Sequence, residues 1–194
     1  MTGLAAAFEE FLGALDRVEV AFLIGGSVAS GTHGVPRMTN GVDVVADLPR
    51  ERIAEFCDAL RPAFYVDDET ARQAIETGCA FNVIHLKSAF KFDIFPAGND
   101  PFARSELTRR RYTTTTITGL EKIEFPIASP EDTILSKLVW FRKGGEVSDR
   151  QRHDILGVIR TQRGRLDWDY LRQWALELGV ADLLEGLRAE EPAS

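Results

Sequence analysis

The chain has 194 residues, 44% of them hydrophobic, enough for one domain with an appendage or for two small domains, and too apolar for a disordered chain. Its formal charge of −7 excludes general attraction to duplex DNA, so a nucleic-acid contact would need a local basic patch. No stretch approaches the ~20 apolar residues of a membrane span, and the isolated Cys57 and Cys79 indicate neither a zinc site nor a disulfide framework, but small buried apolar groups in a reducing cytosol.

Phe8, Leu12 and Leu15 recur at helical spacing, predicting an amphipathic helix over 4–15. It carries Glu9, Glu10 and Asp16 and has no basic start, which is not the pattern of a secretory signal. The β-forming run 18–24 predicts a buried strand, broken by Gly25-Gly26-Ser27 before a further helix. A strand over 42–46 precedes Pro49, which suits the opening of a helix running to Leu60; another helix covers 69–77. Strands over 81–86 and 90–95, joined by Lys87-Ser88-Ala89, read as a hairpin, so the sheet should be mixed. The compact basic run Arg109-Arg110-Arg111 reads first as a helix end or strand start. A threonine-rich strand over 111–117 and a strand over 123–127 complete this part.

From Ser129 the pattern is helical. Ser129 can cap, Pro130 fits the first helical position, and Glu131 and Asp132 meet the positive helix end. Helices are predicted over 130–142, 148–163, 167–178 and 180–187, punctuated by Gly144-Gly145 and Gly164, with a frayed terminus over 190–194. Trp140, Trp168 and Trp174 fall at core-type helical positions. The expected fold class is therefore α/β (α+β), with a mixed-sheet core over 1–127 and a C-terminal helical subdomain over 128–190.

Two acids stand inside apolar strands, where an unpaired charge is costly. In the first, Gly41, Asp43 and Val45 share one face and Val42 and Val44 the other; in the second, Phe90, Phe92 and Ile94 are opposed by Lys91 and Asp93. Asp43 and Asp93 can thus meet over one sheet surface, as in divalent-metal sites that act on phosphates. Gly25, Gly26 and Ser27, between a strand and a helix, let backbone amides approach an anion. Lys91 reads as an ion-pair partner of Asp93, and His33, His85 and His153 have no metal-ligand spacing.

These residues together resemble the minimal nucleotidyltransferases of the DNA polymerase β superfamily, including bacterial toxin-type members related to the AbiEii proteins. The Gly26-Ser27 turn, the lead-in Arg37-Met38-Thr39-Asn40, the acids Asp43 and Asp93, the stretch from Ser129-Pro130-Glu131-Asp132 to Lys137, and Asp149-Arg150-Gln151-Arg152-His153-Asp154 follow the family's order over roughly 18–159. The resemblance implies transfer of a nucleoside monophosphate from an NTP to a hydroxyl, with pyrophosphate leaving. Gly25, Gly26, Ser27, Arg37 and Thr39 would bind the nucleotide. Asp43 and Asp93 would hold Mg²⁺, Asp93 nearest the attacking hydroxyl, and Lys137 would balance charge on the phosphates. Asp154 would orient Lys137 or Arg150. The implied setting is cytoplasmic, with an NTP, an acceptor that is a small molecule, RNA or protein, and a homodimer among the compatible assemblies. One position departs from the pattern: Gly41 stands where the first acid of Asp-x-Asp belongs. That puts activity in doubt and keeps open a catalytically silent nucleotide-, RNA- or protein-binding member of the same fold. Asp47, on the same strand, lies too far along it to replace the missing ligand.

Overall fold

The structure, a computed structural model, describes residues 3–39, 41–116, 120 and 122–190. Helix α1 (Gly3–Arg17) leads into strand β1 (Phe22–Ile24), α2 (Gly26–His33) and β2 (Gly41–Ala46). A 3-10 turn at Arg50–Arg52 opens α3 (Ile53–Leu60), followed by β3 (Phe64–Tyr65), α4 (Asp68–Thr77), β4 (Phe81–His85), β5 (Lys91–Pro96), α5 (Pro101–Arg109), β6 (Arg111–Thr113) and β7 (Phe125–Ile127). Helices α6 (Pro130–Lys143), α7 (Asp149–Thr161), α8 (Trp168–Glu177) and α9 (Ala181–Ala189) follow. None of the described helices is long and apolar enough to cross a membrane.

The strands form one mixed sheet in the order β3-β4-β5-β2-β1-β7-β6. β2 and β5 run parallel in the centre, β1 is antiparallel to β2, and β4 and β5 form the expected hairpin. On one face Val42, Val44, Phe92 and Ile94 are fully buried. Phe11 of α1 stacks on Phe92 with ring centroids 4.2 Å apart, and Phe8 touches both Phe92 and Phe125. Burying each such ring stabilises the fold by about 1.5–3 kcal/mol, so these aromatics decide which sheet face turns inward and leave the other for polar side chains. A second apolar cluster joins Ile134, Leu138, Ile155, Val158, Leu171 and Leu184 of the later helices. It also takes in Phe102 of α5, so a helix from the α/β half packs into the helical half.

Several elements differ from their sequence reading. The expected strand over 18–24 is strand only at Phe22–Ile24, because α1 runs to Arg17 and Glu19 turns at φ 49°. Residues 114–116 lie outside any strand, and Ile117 lies outside the described residues, as does Asn40 of the lead-in. Of the expected frayed terminus, Glu190 follows α9 and 191–194 lie outside the described residues. Helix α5 carries a signal that the periodicity hides: Asp100 accepts from the Phe102 and Ala103 N–H groups, with Pro101 at the first position. Trp140 is not a core residue but is 49% exposed, and Cys79 is exposed while Cys57 is buried.

Candidate functional site

The centre of the sheet brings the two acids together. In the parallel pairing of β2 and β5, Asp43 stands opposite Asp93 and Gly41 opposite Lys91. Neighbouring strands lie about 4.8 Å apart, and the alternation of burial puts all four residues on the face that α1 does not cover. Lys91 Nζ lies 3.0 Å from Asp93 Oδ1. Burial, and then the charge of Asp93, push the Asp43 carboxyl above the usual carboxylate range, opposed by Lys137, the Ser27 N–H and Lys91. A carboxyl held this way gains from any added cation.

The glycine turn is built around Asp43. Gly25 N–H donates to the Asp43 carbonyl at 2.8 Å, and the Ser27 N–H donates to the Asp43 carboxylate. Of the amides in this turn, that of Ser27 thus faces a carboxylate of the protein's own chain and that of Gly25 a backbone carbonyl. Gly26 has φ +54°, and a Cβ there would lie 1.6 Å from Asp43 Oδ2, so only glycine lets the carboxylate sit against the turn. Ser27 Oγ and Thr39 Oγ1 share a 2.7 Å hydrogen bond, and Thr39 Oγ1 donates to the Gly41 carbonyl at 2.7 Å. Thr39 is therefore a clip between the turn and β2.

The opposite wall comes from α6 and α7. Lys137, nearly buried, places Nζ 2.9 Å from Asp154 Oδ2 and donates to Gln151 Oε1 at 3.0 Å. Arg37 grips the same carboxylate with two hydrogen bonds, Nε to Oδ1 at 3.0 Å and Nη2 to Oδ2 at 2.9 Å. Burial alone would raise the Asp154 carboxyl, but Arg37 and Lys137 hold it below the usual range. Asp154 thus orients Lys137, and its second partner is Arg37, not Arg150. The sequence separation of 117 between Arg37 and Asp154 hid that pairing. Asp47 is held by Arg104 at 2.6 Å. His33 and His85 lie elsewhere, His33 Nε2 2.7 Å from the Ala128 carbonyl and His85 Nδ1 2.7 Å from Ser88 Oγ, while His153 is exposed on α7 next to Asp154. The basic run is divided among an end of α5, a linker and the start of β6, with Arg109 turned inward onto Glu131 and Asp132.

The donor set suits one hard cation that arrives with a substrate. Mg²⁺ is commonly bound through one or two carboxylates plus phosphate oxygens, and Asp43 and Asp93 supply two. Among the described residues no group of three or more His, Cys, Asp or Glu side chains is disposed as a metal cage. Gly41 contributes no donor for a second ion.

No protein-family model and no curated protein matches the chain. Solved structures do. The antibiotic-resistance factor ANT(2'')-Ia, also known in complex with adenylyl-2''-tobramycin, superposes with a TM-score of 0.59 at 15% identity, covering 98% of this chain and 99% of that one. The lincosamide antibiotic adenylyltransferase LnuA, lincomycin-bound, gives 0.50 at 14% over 81% and 96%. An antigenic nucleotidyltransferase-like protein from Paracoccidioides brasiliensis gives 0.51 at 16% over 97% and 94%. With a mixed sheet carrying Asp43 beside Asp93 and helices closing over it, the chain has the fold of the minimal nucleotidyltransferases.

Proposed function

We propose that the chain transfers a nucleoside monophosphate from a Mg-NTP to a hydroxyl acceptor. The observation that carries this reading is the register of Asp43 with Asp93 beside the Gly25–Ser27 turn. The first turn of α2 and the Ser27 hydroxyl receive the triphosphate. Asp43 and Asp93 would hold a magnesium ion, which would supply charge neutralisation at the phosphates. An Asp93 oxygen takes the proton of the acceptor hydroxyl. The acceptor oxygen then bonds to the α-phosphorus, the bond from that phosphorus to the bridging oxygen breaks, and pyrophosphate leaves. Lys137, fixed by Asp154, offsets the charge of the phosphates, and Arg37 locks Asp154 in place.

The antibiotic acceptors and adenylyl product of the structural neighbours support ATP as the nucleotide and a small molecule as the acceptor. The free thiols and the need for NTP support a cytoplasmic setting; the toxin-type likeness rests on the motif order alone, and a homodimer is one compatible assembly. A second reading has one specific observation in its favour. Gly41 supplies no carboxylate, and the opposed Lys91 ammonium already pairs with Asp93, which suits a silent nucleotide-binding protein. Labelled-NTP transfer by the chain and by Gly41→Asp, alongside calorimetric titration of Mg-NTP, decides between them. Label from both supports the enzyme, and label from the variant alone a degenerate one. Binding without label supports the silent protein, and no binding by either chain retires both.

A further inference from the structure

The sheet face that holds the acids continues past them. Val45 and Phe95 are the next registered pair on that face after Asp43 and Asp93, and Phe95 is half-buried there. On α6, Trp140 follows Lys137 by three residues and so shares its side of the helix. The two aromatics meet there, ring centroids 5.9 Å apart and planes 66° to one another. Trp168 and Trp174 are covered, Trp174 against Phe102 at 5.2 Å and Trp168 beneath the Arg188 guanidinium at 4.5 Å. Trp140 alone of the three is exposed, at 49%. This aromatic pair also lies on the β5 side of the acids, whereas the glycine turn lies on the β1 side.

We propose that Phe95 and Trp140 form the acceptor platform, a shelf on which a cyclic, hydroxyl-bearing molecule stacks one ring face so that a hydroxyl reaches Asp93. This rests on the nucleotidyl-transfer reading and names its acceptor class. Two residues along a strand span about 6.6 Å, close to the reach of a six-membered ring with its hydroxyl. Phosphates on one side of Asp43 and an acceptor on the far side of Asp93 give the opposed approach that displacement at phosphorus requires. Aromatic faces hold sugar and aromatic rings alike, while an open-chain alcohol presents no face to stack. Lys143 Nζ, 5.0 Å from the Trp140 ring, sets a positive charge beside the shelf and favours a neutral or anionic ring over a polycation.

The test is saturation-transfer NMR on the full chain with phenyl β-D-glucopyranoside as the ring probe and glycerol as the open-chain control, without nucleotide or metal. The expected result is transfer to the glucoside and none to glycerol. The glucoside signal should fall at least fivefold in Trp140→Ala, hold within twofold in Trp140→Phe, and hold in Trp168→Ala. Phe95→Leu gives an independent loss should Trp140→Ala fold poorly. No transfer to the natural chain, or equal transfer to Trp140→Ala, overturns the shelf. Because neither NTP nor Mg²⁺ is present, that failure would leave the phosphate site standing. Failure of label transfer with a Trp140-dependent signal intact would retire the transfer reading alone.

Discussion

Gly26 and Asp43 are fitted so closely that a single methyl group would separate them: a Cβ on Gly26 would fall 1.6 Å from Asp43 Oδ2. The turn and the acid are therefore one unit, and the positive φ of Gly26 fixes the first α2 amides on the side where the carboxylate lies.

Gly26→Ala is accordingly the most damaging small change at the site. The left-handed backbone costs about 1–3 kcal/mol for a residue with a Cβ, and the clash drives Asp43 off the Ser27 amide. Calorimetry should show Mg-NTP affinity reduced more than tenfold, with a lowered melting temperature. A variant that binds Mg-NTP as the natural chain does would mean that Asp43 has no part in holding it.

Gly41→Asp should act in the opposite direction on metal binding. The new Cβ meets the Lys91 carbonyl at 3.3 Å, a tight contact that costs a little stability, and it points toward Asp93 Oδ2 at 3.8 Å. A third carboxylate then stands beside the pair. Titration with Mn²⁺ followed by electron paramagnetic resonance should report about tenfold tighter binding, or 1.4 kcal/mol. The effect should be larger in Gly41→Asp with Lys91→Ala, since the Lys91 ammonium pairs with Asp93 in the natural chain. Unchanged Mn²⁺ affinity in the double variant would rule out a metal site on this face.

The acids were legible in the sequence because alternation along a strand is strict: Val42-Asp43-Val44 and Phe92-Asp93-Ile94 each put one polar group opposite two apolar ones. Their parallel register was not, since the chain between them winds through two helices and a hairpin. The same holds for Asp154. Its helix could be read, but whether it reached Lys137, Arg37 or Arg150 depended on how α7 docks against the lead-in to β2. Trp140 misled in the other direction. Its spacing on α6 suits a core position, yet the ring is half-exposed and meets the rim of the sheet through Phe95 of β5. Helix α5 was missed although Asp100-Pro101 announces it, because Arg104, Ser105, Thr108 and Arg109 dilute its apolar stripe.

Asp154→Asn should cost more than a surface charge change. Lys137 and Asp154 are almost wholly buried, at 6% and 3% side-chain exposure, so removing the carboxylate leaves an ammonium and the Arg37 guanidinium without their shared anion. Breaking one partner of a buried pair costs about 3–5 kcal/mol, and urea denaturation of the variant should report a loss of that order. The Asp154 carboxyl lies below its unfolded value. Its stabilisation is thus complete above that value and is lost as pH falls through the depressed one. The natural chain should therefore show an acid-induced loss that Asp154→Asn lacks. A loss under 1 kcal/mol would show that Lys137 and Arg37 do not depend on it.

Glu106 provides a pH response of the opposite sign. It is buried in α5, accepts from Ser136 Oγ at 2.8 Å, and is pushed up to about 8 by burial first and by Asp132 next. The folded chain therefore holds a proton on Glu106 that the unfolded chain releases near 4.5. With more protons bound in the folded state, stability falls as pH rises between those values. The contribution is full below about 4.5, is lost through about 8, and is flat above. His33 works against it, because burial lowers its pKa and it must charge as pH falls, so the natural chain alone would blur the signal. The comparison with Glu106→Gln isolates it, since the amide keeps an acceptor for Ser136 and cannot ionise. The melting temperature of Glu106→Gln minus that of the natural chain should be near zero at pH 5 and rise steadily to pH 8. A difference that does not change with pH would mean that Glu106 is ionised in the folded chain.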